Sequence, residues 1–275
     1  MSHVADSKIA TMNIRDKVAI VVSSCDAFYD CWAPFLYSIE KWGTDCPFMI
    51  YIISNFKSIS SNTKNISFIM VGQDLKWGTN LKNALQKISA DYIIYLQEDY
   101  FLNKHINWSS LNTHIQYCIQ NRIDYLRLTF PYIPGTTQNV YYVENNLDQA
   151  YAVCLQAGLW KKDTLEQLCI SGWSGWDFEY KVSSVIRERF PFFRFLGLTK
   201  SANGQISYVK GTGVRKGKWT YAGYRFLKKN GFKHLLKQRA TEPMFWRLLD
   251  VDGWGRPFAK LLWRIINKIK TYNYI

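Results

Sequence analysis

Apolar positions along the first hundred residues alternate between short unbroken runs and helical spacings. Lys17 to Ser24 (KVAIVVSS) is a continuous β-branched run, the pattern of a strand buried on both faces. Ala27 to Trp42 follows, with Phe28, Trp32, Phe35, Leu36 and Ile39 near helical spacing. Phe48 to Ser54 (FMIYIIS) reads as a second buried strand and Ile66 to Val71 as a short third one. Leu81, Ala84, Leu85 and Ile88 repeat as one helical face. Asp91 to Leu96 (DYIIYL) is the next strand, and Gln97-Glu98-Asp99-Tyr100 follows it directly. Strands that alternate with helices predict an α/β fold, a parallel sheet covered on both faces. Ligands of such sheets bind beyond the C-terminal ends of the strands.

The second half is less regular. Asp124 to Phe130 and Tyr151 to Leu155 read as strands, Lys162 to Cys169 and Asp177 to Glu188 as helices, and 203–219 as a Gly- and Lys-rich loop region. Near the end, Phe258, Leu261, Leu262, Ile265 and Ile269 share a helical face, beside a basic ridge of Lys260, Arg264 and Lys268. The expected organisation is a flexible N-terminus (1–16), a catalytic α/β domain (17–218) and a basic amphipathic helical region (219–275).

Charge sharpens this division. Of a net +14, residues 210–275 supply +13, with 16 Lys/Arg against 3 Asp/Glu, so the body is nearly neutral. That asymmetry points to nucleic acid, anionic lipid or a phosphorylated ligand. The chain is rich in aromatics, with 11 Trp and 18 Tyr among its 275 residues. Such rings stack on bases or sugars, or sit at membrane surfaces, and composition alone does not choose. The six cysteines form no CxxC pair, so they read as reduced, mostly buried thiols. No signal-peptide pattern and no spanning apolar run is present, so a cytoplasmic protein is expected.

Three constellations carry candidate chemistry. Glu98 and Asp99 end a buried strand, where adjacent acids need a cation or hydrogen-bond donors. Mg²⁺ or Mn²⁺ bridging a diphosphate meets that need. A solvated strand end, or an acid capping the next turn, accounts for the pair equally well. In Gly172-Trp173-Ser174-Gly175-Trp176-Asp177-Phe178-Glu179, the indole faces of Trp173 and Trp176 suit a sugar. Asp177 is there either a general base or only a helix cap. The segment 210–218 interleaves glycines with Lys210, Arg215, Lys216 and Lys218. It is either a cationic flap for a diphosphate or an exposed basic loop, and its order is not that of a P-loop. The four histidines are scattered, and no G-x-S-x-G elbow supports a hydrolase.

Taken together, several stretches resemble bacterial glycosyltransferases of capsule and lipopolysaccharide O-antigen synthesis. They are Ser24-Cys25-Asp26, Asp30, Trp32, Lys41-Trp42, Asp45-Cys46-Pro47-Phe48 and Ser54-Asn55, with Trp77, Asn80-Leu81 and Gln97 to Leu102. The likeness covers roughly residues 17–200 and implies a GT-A-like fold, a Rossmann-like nucleotide-binding sheet with a mixed second half. It implies donor contacts from Ser24, Cys25, Asp26, Asn55, Trp77 and Asn80. Glu98 and Asp99 then stand where the family's Asp-x-Asp motif holds metal and diphosphate. Because this sequence reads Gln-Glu-Asp, a divalent cation (Mn or Mg) and a metal-independent route assisted by Lys210, Arg215 and Lys216 both stay open. The loop 172–179 is similar to the Gly-Trp-Gly-Gly-Glu-Asp loop of inverting β-galactosyltransferases. That match places Asp177 on the base, with Trp173, Trp176 and Glu179 toward the acceptor.

The leading expectation is therefore inverting transfer from a nucleotide-sugar, a UDP-sugar for preference, to a glycan or lipid-linked glycan. The basic tail would hold the enzyme on the anionic inner face of the cell membrane. A nucleic-acid-binding module would explain the tail but neither the acidic pair nor the Gly-Trp loop. A non-catalytic sugar-binding protein of the same fold is the third reading.

Overall fold

The structure is a computed structural model and describes residues 14–61, 63–129, 135–149, 151–199, 201–203 and 205–243. The chain divides into two compact units, separated in sequence between Ser207 and Tyr208.

The first unit is built on a mixed sheet with helices against it. A short helix α1 (Ile14–Lys17) leads into β1 (Val18–Ser23), whose six residues are all buried. A single 3-10 turn and α2 (Tyr29–Trp42) return the chain to β2 (Met49–Ser54), and β3 (Ile66–Met70) follows. Helix α3 (Lys76–Leu85) then leads to β4 (Tyr92–Gln97) and α4 (Trp108–Gln120) to β5 (Tyr125–Arg127). Next come β6 (Gly135–Thr137), β7 (Tyr142–Asn145), β8 (Gly158–Lys161), α5 (Lys162–Leu168), α6 (Gly175–Arg189) and β9 (Phe195–Leu198). Among the described residues the strand order is β3-β2-β1-β4-β8-β5-β9-β7-β6.

The first four strands run parallel, as their unbroken β-branched runs predict. Side chains alternate across the sheet, so Ala19, Val21, Ile93 and Tyr95 share one face. There they pack with Leu81, Ala84 and Leu85 of α3 and Phe178, Val182 and Ile186 of α6. Each of the larger side chains contributes about 1.5–3 kcal/mol by leaving water. On the other face, the Tyr92 hydroxyl donates to the Cys118 carbonyl of α4 at 3.2 Å.

Beyond β4 the sheet departs from the parallel expectation. β8 runs antiparallel to both β4 and β5. It opens on Gly158, where an added Cβ would lie 2.6 Å from the Tyr125 ring. The expected strand at Tyr151 to Leu155 is absent. Ala152 to Leu155 are buried, but their backbone is satisfied by side chains instead of a ladder. Asn145 donates to the Ala152 carbonyl, Tyr125 to that of Cys154 and Tyr100 to that of Leu155, while the Leu155 amide donates to Glu179. Helix α3 also begins at Lys76, five residues before the periodicity from Leu81 predicts.

In the second unit, the expected Gly/Lys loop contains a hairpin, β10 (Val214–Arg215) with β11 (Lys218–Trp219). Its two turn residues, Lys216 and Gly217, have φ of 49° and 73°, as a type I′ turn requires. Thr220 caps α7 (Tyr221–Lys229) by accepting from the Gly223 amide at 3.0 Å. A 3-10 turn at Lys233–Lys237 follows, and Trp219 is buried in this unit. The expected amphipathic helix at 258–269 lies outside the described residues, as do residues 1–13.

Candidate functional site

In the first unit, strand order reverses between β1 and β4, and a crevice is expected beyond their C-terminal ends. Register places Ser23 beside Gln97 there. The chain then runs on as Ser24-Cys25 from one strand and Glu98-Asp99 from the other. A cavity of about 350 Å³ opens between these segments. Lys76, Trp77 and Asn80 from the start of α3 also line it, as do Asp74, Ser174 and Gly175.

Glu98 and Asp99 are 6% and 5% exposed, so the acidic pair is buried at the cavity and is not a solvated strand end. The Cys25 thiol reports the local field. Burial pushes it above its usual value, and the carboxylates of Glu98, Asp74 and Asp26 push it further. Asp74, Glu98 and Asp99 line a cavity whose one lining cation among the described residues is Lys76. Among the described residues, no cluster of three or more His, Cys, Asp or Glu is arranged to hold a metal.

Several residues expected to touch the donor frame the cavity. Asp26 accepts from the amides of Asn55, Phe56 and Lys57 at 2.9, 3.1 and 3.3 Å. Asn55 Oδ1 accepts from the Asp26 amide at 3.0 Å, and its Nδ2 donates to the Gly72 carbonyl at 2.8 Å. The two residues tie the loop after β1 to the loop after β2, and neither lines the cavity. Ser24 does line it, with its Oγ accepting from Trp32 Nε1 at 2.7 Å. Asn80 also lines it, yet its amide is engaged with Asp74 Oδ1 and the Leu75 N–H at 2.8 and 3.0 Å.

That Asp74–Asn80 lattice fixes the entry to α3. Asp74 also accepts from the Lys76 amide at 2.9 Å, and Lys76 sits at φ 71°, a left-handed conformation that costs a lysine about 1–2 kcal/mol. Trp77 Nε1 donates to the fully buried Tyr95 hydroxyl at 3.1 Å, and Gln97 donates to the same oxygen at 3.2 Å. Gly78 allows α3 to lie against the loop before α6, since a Cβ there would stand 2.2 Å from the Ile170 carbonyl oxygen. The Gly78 amide donates to the Trp173 carbonyl at 2.9 Å, which anchors the Gly-Trp loop.

In that loop Asp177 is engaged as a helix cap. Ser174 and Asp177 form a capping box at the start of α6. Asp177 Oδ2 accepts from the Ser174 amide and hydroxyl at 3.0 and 2.6 Å, and Oδ1 takes the Lys181 ammonium at 2.7 Å. Lys181 first, and Ser174 next, hold this carboxyl well below the usual carboxylate range. A carboxylate so stabilised is a weak base, and neither Asp177 nor Glu179 lines the cavity. Glu179 lies four residues after Gly175, on the same helix face. It is half-buried, accepts from the Leu155 amide at 3.0 Å, and is pushed up by burial.

Trp173 is half-buried against the core, under the Lys181 ammonium. Trp176 is 57% exposed and stacks on Tyr180, which in turn meets Tyr151, with ring centroids 6.3 and 6.0 Å apart. Sequence reading missed Tyr180 and Tyr151, as it missed Lys76 and Asp74. The i, i+4 spacing of Trp176 and Tyr180 was the available signal for the first. Lys210, Arg215 and Lys216 belong to the second unit, where Arg215 is paired with Glu242 at 2.9 Å.

Against known proteins, no family model and no curated protein matches the chain. Among solved structures it is similar to S. aureus TarS 1–349, at 15% identity over 68% of this chain and 59% of that one, TM-score 0.46. It is also similar to apo-UDP-glucose pyrophosphorylase (9%, 70% and 91%, TM-score 0.45). A third is a cytidylyltransferase from Leptospira borgpetersenii serovar Hardjo-bovis (13%, 69% and 78%, TM-score 0.42). The chain thus spans about three fifths of the TarS 1–349 structure.

Proposed function

We propose that this protein transfers a glycosyl group from a nucleoside-diphosphate sugar, a UDP-sugar for preference, to a glycan or lipid-linked glycan hydroxyl. One observation carries the reading: two buried carboxylates, Glu98 and Asp99, line the cavity at the point where strand order reverses.

Their hard oxygens and the acidic field at Cys25 suit a divalent cation, Mg²⁺ or Mn²⁺. Such an ion would neutralise the donor diphosphate as charge develops on it. Lys76 adds the protein's own positive charge at the same cavity. The Trp77 ring, fixed by Tyr95 and Phe178, offers an apolar wall. In the transfer, the acceptor oxygen forms a bond to the anomeric carbon while the bond to the diphosphate oxygen breaks. The acceptor proton passes to Glu179, which takes the base role in place of Asp177. The Trp176–Tyr180–Tyr151 shelf supplies flat faces for the acceptor sugar. The proposed location is the cytoplasmic side, where nucleotide-sugars and lipid-linked acceptors would meet.

A thermal-shift panel of UDP-, GDP-, CMP- and dTDP-sugars, with and without Mn²⁺, tests the proposal. Stabilisation by one nucleotide class, lost in the Glu98→Gln/Asp99→Asn double variant, is expected. No shift with any donor would sink it. A shift without transfer to any acceptor would instead indicate a sugar-binding protein.

A further inference from the structure

We propose that the second unit carries an anionic-lipid docking face of its own, formed by α7 and the 3-10 turn after it, separate from the sequence-expected helix at 258–269. The proposal holds whether or not the donor reading does. Residues 208–243 contain ten lysines and arginines and a single acid, Glu242. That acid is paired with Arg215, at 2.9 Å. By sequence the stretch 208–243 therefore carries a large positive excess.

On α7 the cations Arg225, Lys228 and Lys229 share one helical face. Phe226, Leu227 and Leu235 are buried, whereas Arg225, Lys228 and Lys229 of α7 and Lys233, His234 and Lys237 of the turn are exposed. A short amphipathic helix that presents cations outward suits a surface of phosphate headgroups. Among the described residues no helix is long and apolar enough to cross a membrane.

The tyrosines decide between lipid and nucleic acid. Tyr221 and Tyr224 are half-buried, and Arg225 and Lys228 stand over their rings, each 5.9 Å from the centroid. Single-stranded nucleic acid binding needs open ring faces for base stacking. Here each ring is half-buried with a cation over it. Tyrosine beside lysine and arginine is the composition of a membrane interface.

The test uses the full chain and co-sedimentation with phosphatidylcholine vesicles, with and without phosphatidylglycerol. Binding is expected only when phosphatidylglycerol is present, and it should fall with added salt. The variant Lys228→Glu/Lys229→Glu/Lys233→Glu, checked for unchanged circular dichroism, should partition at least about a hundredfold more weakly. Lys260→Glu/Arg264→Glu/Lys268→Glu serves as the parallel variant. Wild-type partition by the first variant would overturn the proposal, whatever the second does. Displacement by millimolar inorganic phosphate would overturn it too, because a lipid surface holds by many headgroups at once. So would a single-stranded RNA oligomer that binds while anionic vesicles do not.

Discussion

Asp26 and Asn55 hold each other in both directions: each backbone amide donates to the other's side-chain oxygen, at 3.0 and 2.9 Å. The pair joins the loop after β1, which lines the cavity, to the loop after β2, so its removal acts through position. Asn55→Ala and Asp26→Ala are each expected to lower unfolding free energy by about 1–3 kcal/mol. A double-mutant cycle in urea should give a coupling of about 0.5–3 kcal/mol. Additive losses, together with abolished UDP binding in an otherwise stable protein, would instead put these side chains on the ligand.

Gly78 sets packing against propensity. Alanine is the better helix former by about 1 kcal/mol, so Gly78→Ala should stabilise α3 if local preference ruled. Its Cβ would meet the Ile170 carbonyl at 2.2 Å. The variant should therefore lose about 1–3 kcal/mol overall, read by thermal or urea melting. It should also weaken donor binding, because the Trp173–Ser174–Gly175 loop must shift.

Lys76 keeps a strained backbone at the cavity. Lys76→Gly relieves the left-handed conformation and should leave the melting temperature unchanged or higher. The same change should weaken UDP by at least about tenfold while uridine binding changes little, as calorimetry would show. Equal losses for UDP and uridine would mean that the lysine does not meet the diphosphate.

The base assignment separates two carboxylates on one helix. Glu179→Gln should cut kcat by about 10²–10⁴, whereas Asp177→Asn should stay within about tenfold of wild type. Turnover lost in Asp177→Asn and kept in Glu179→Gln would restore the sequence-based choice.

The pH dependence has a definite sign. Burial raises Glu179 above the ordinary 4.5, so activity should fall on acidification through that raised value. Because folding favours the protonated form of this group, ionising it costs stability as pH rises from 4.5 to its folded pKa. Glu179→Gln should abolish this change, as melts across acid pH would reveal. Asp177 has the opposite sign: its stabilising effect is present above 3.8 and fades only as pH falls toward strongly acid values.

The strands β1, β2 and β4 were legible because burial on both faces leaves continuous apolar runs. The Glu98-Asp99 turn was legible because acids directly after such a run stand out. The segment Ala152 to Leu155 misled because burial, the property periodicity reports, was met without a ladder. β6 to β9 have only three or four residues each, too few to show a period. Asp177 was placed correctly at a helix start, but its partners Ser174 and Lys181 decide its chemistry. Lys76 gave no signal, because its conformation depends on the hydrogen bonds of Asp74 and Asn80.

The antiparallel insertion of β8 has a consequence for synthesis. During translation β4 has β1 on one side and, until Gly158–Lys161 has emerged, an open edge on the other. That edge is the apolar Tyr92-Ile93-Ile94-Tyr95-Leu96, a ready template for pairing with another nascent chain. Pairing with β8 closes that edge, so slow arrival of the closing strand would leave it open to aggregation. Substitutions at Gly158, where a Cβ would stand 2.6 Å from the Tyr125 ring, should therefore appear first as a lower yield of soluble protein.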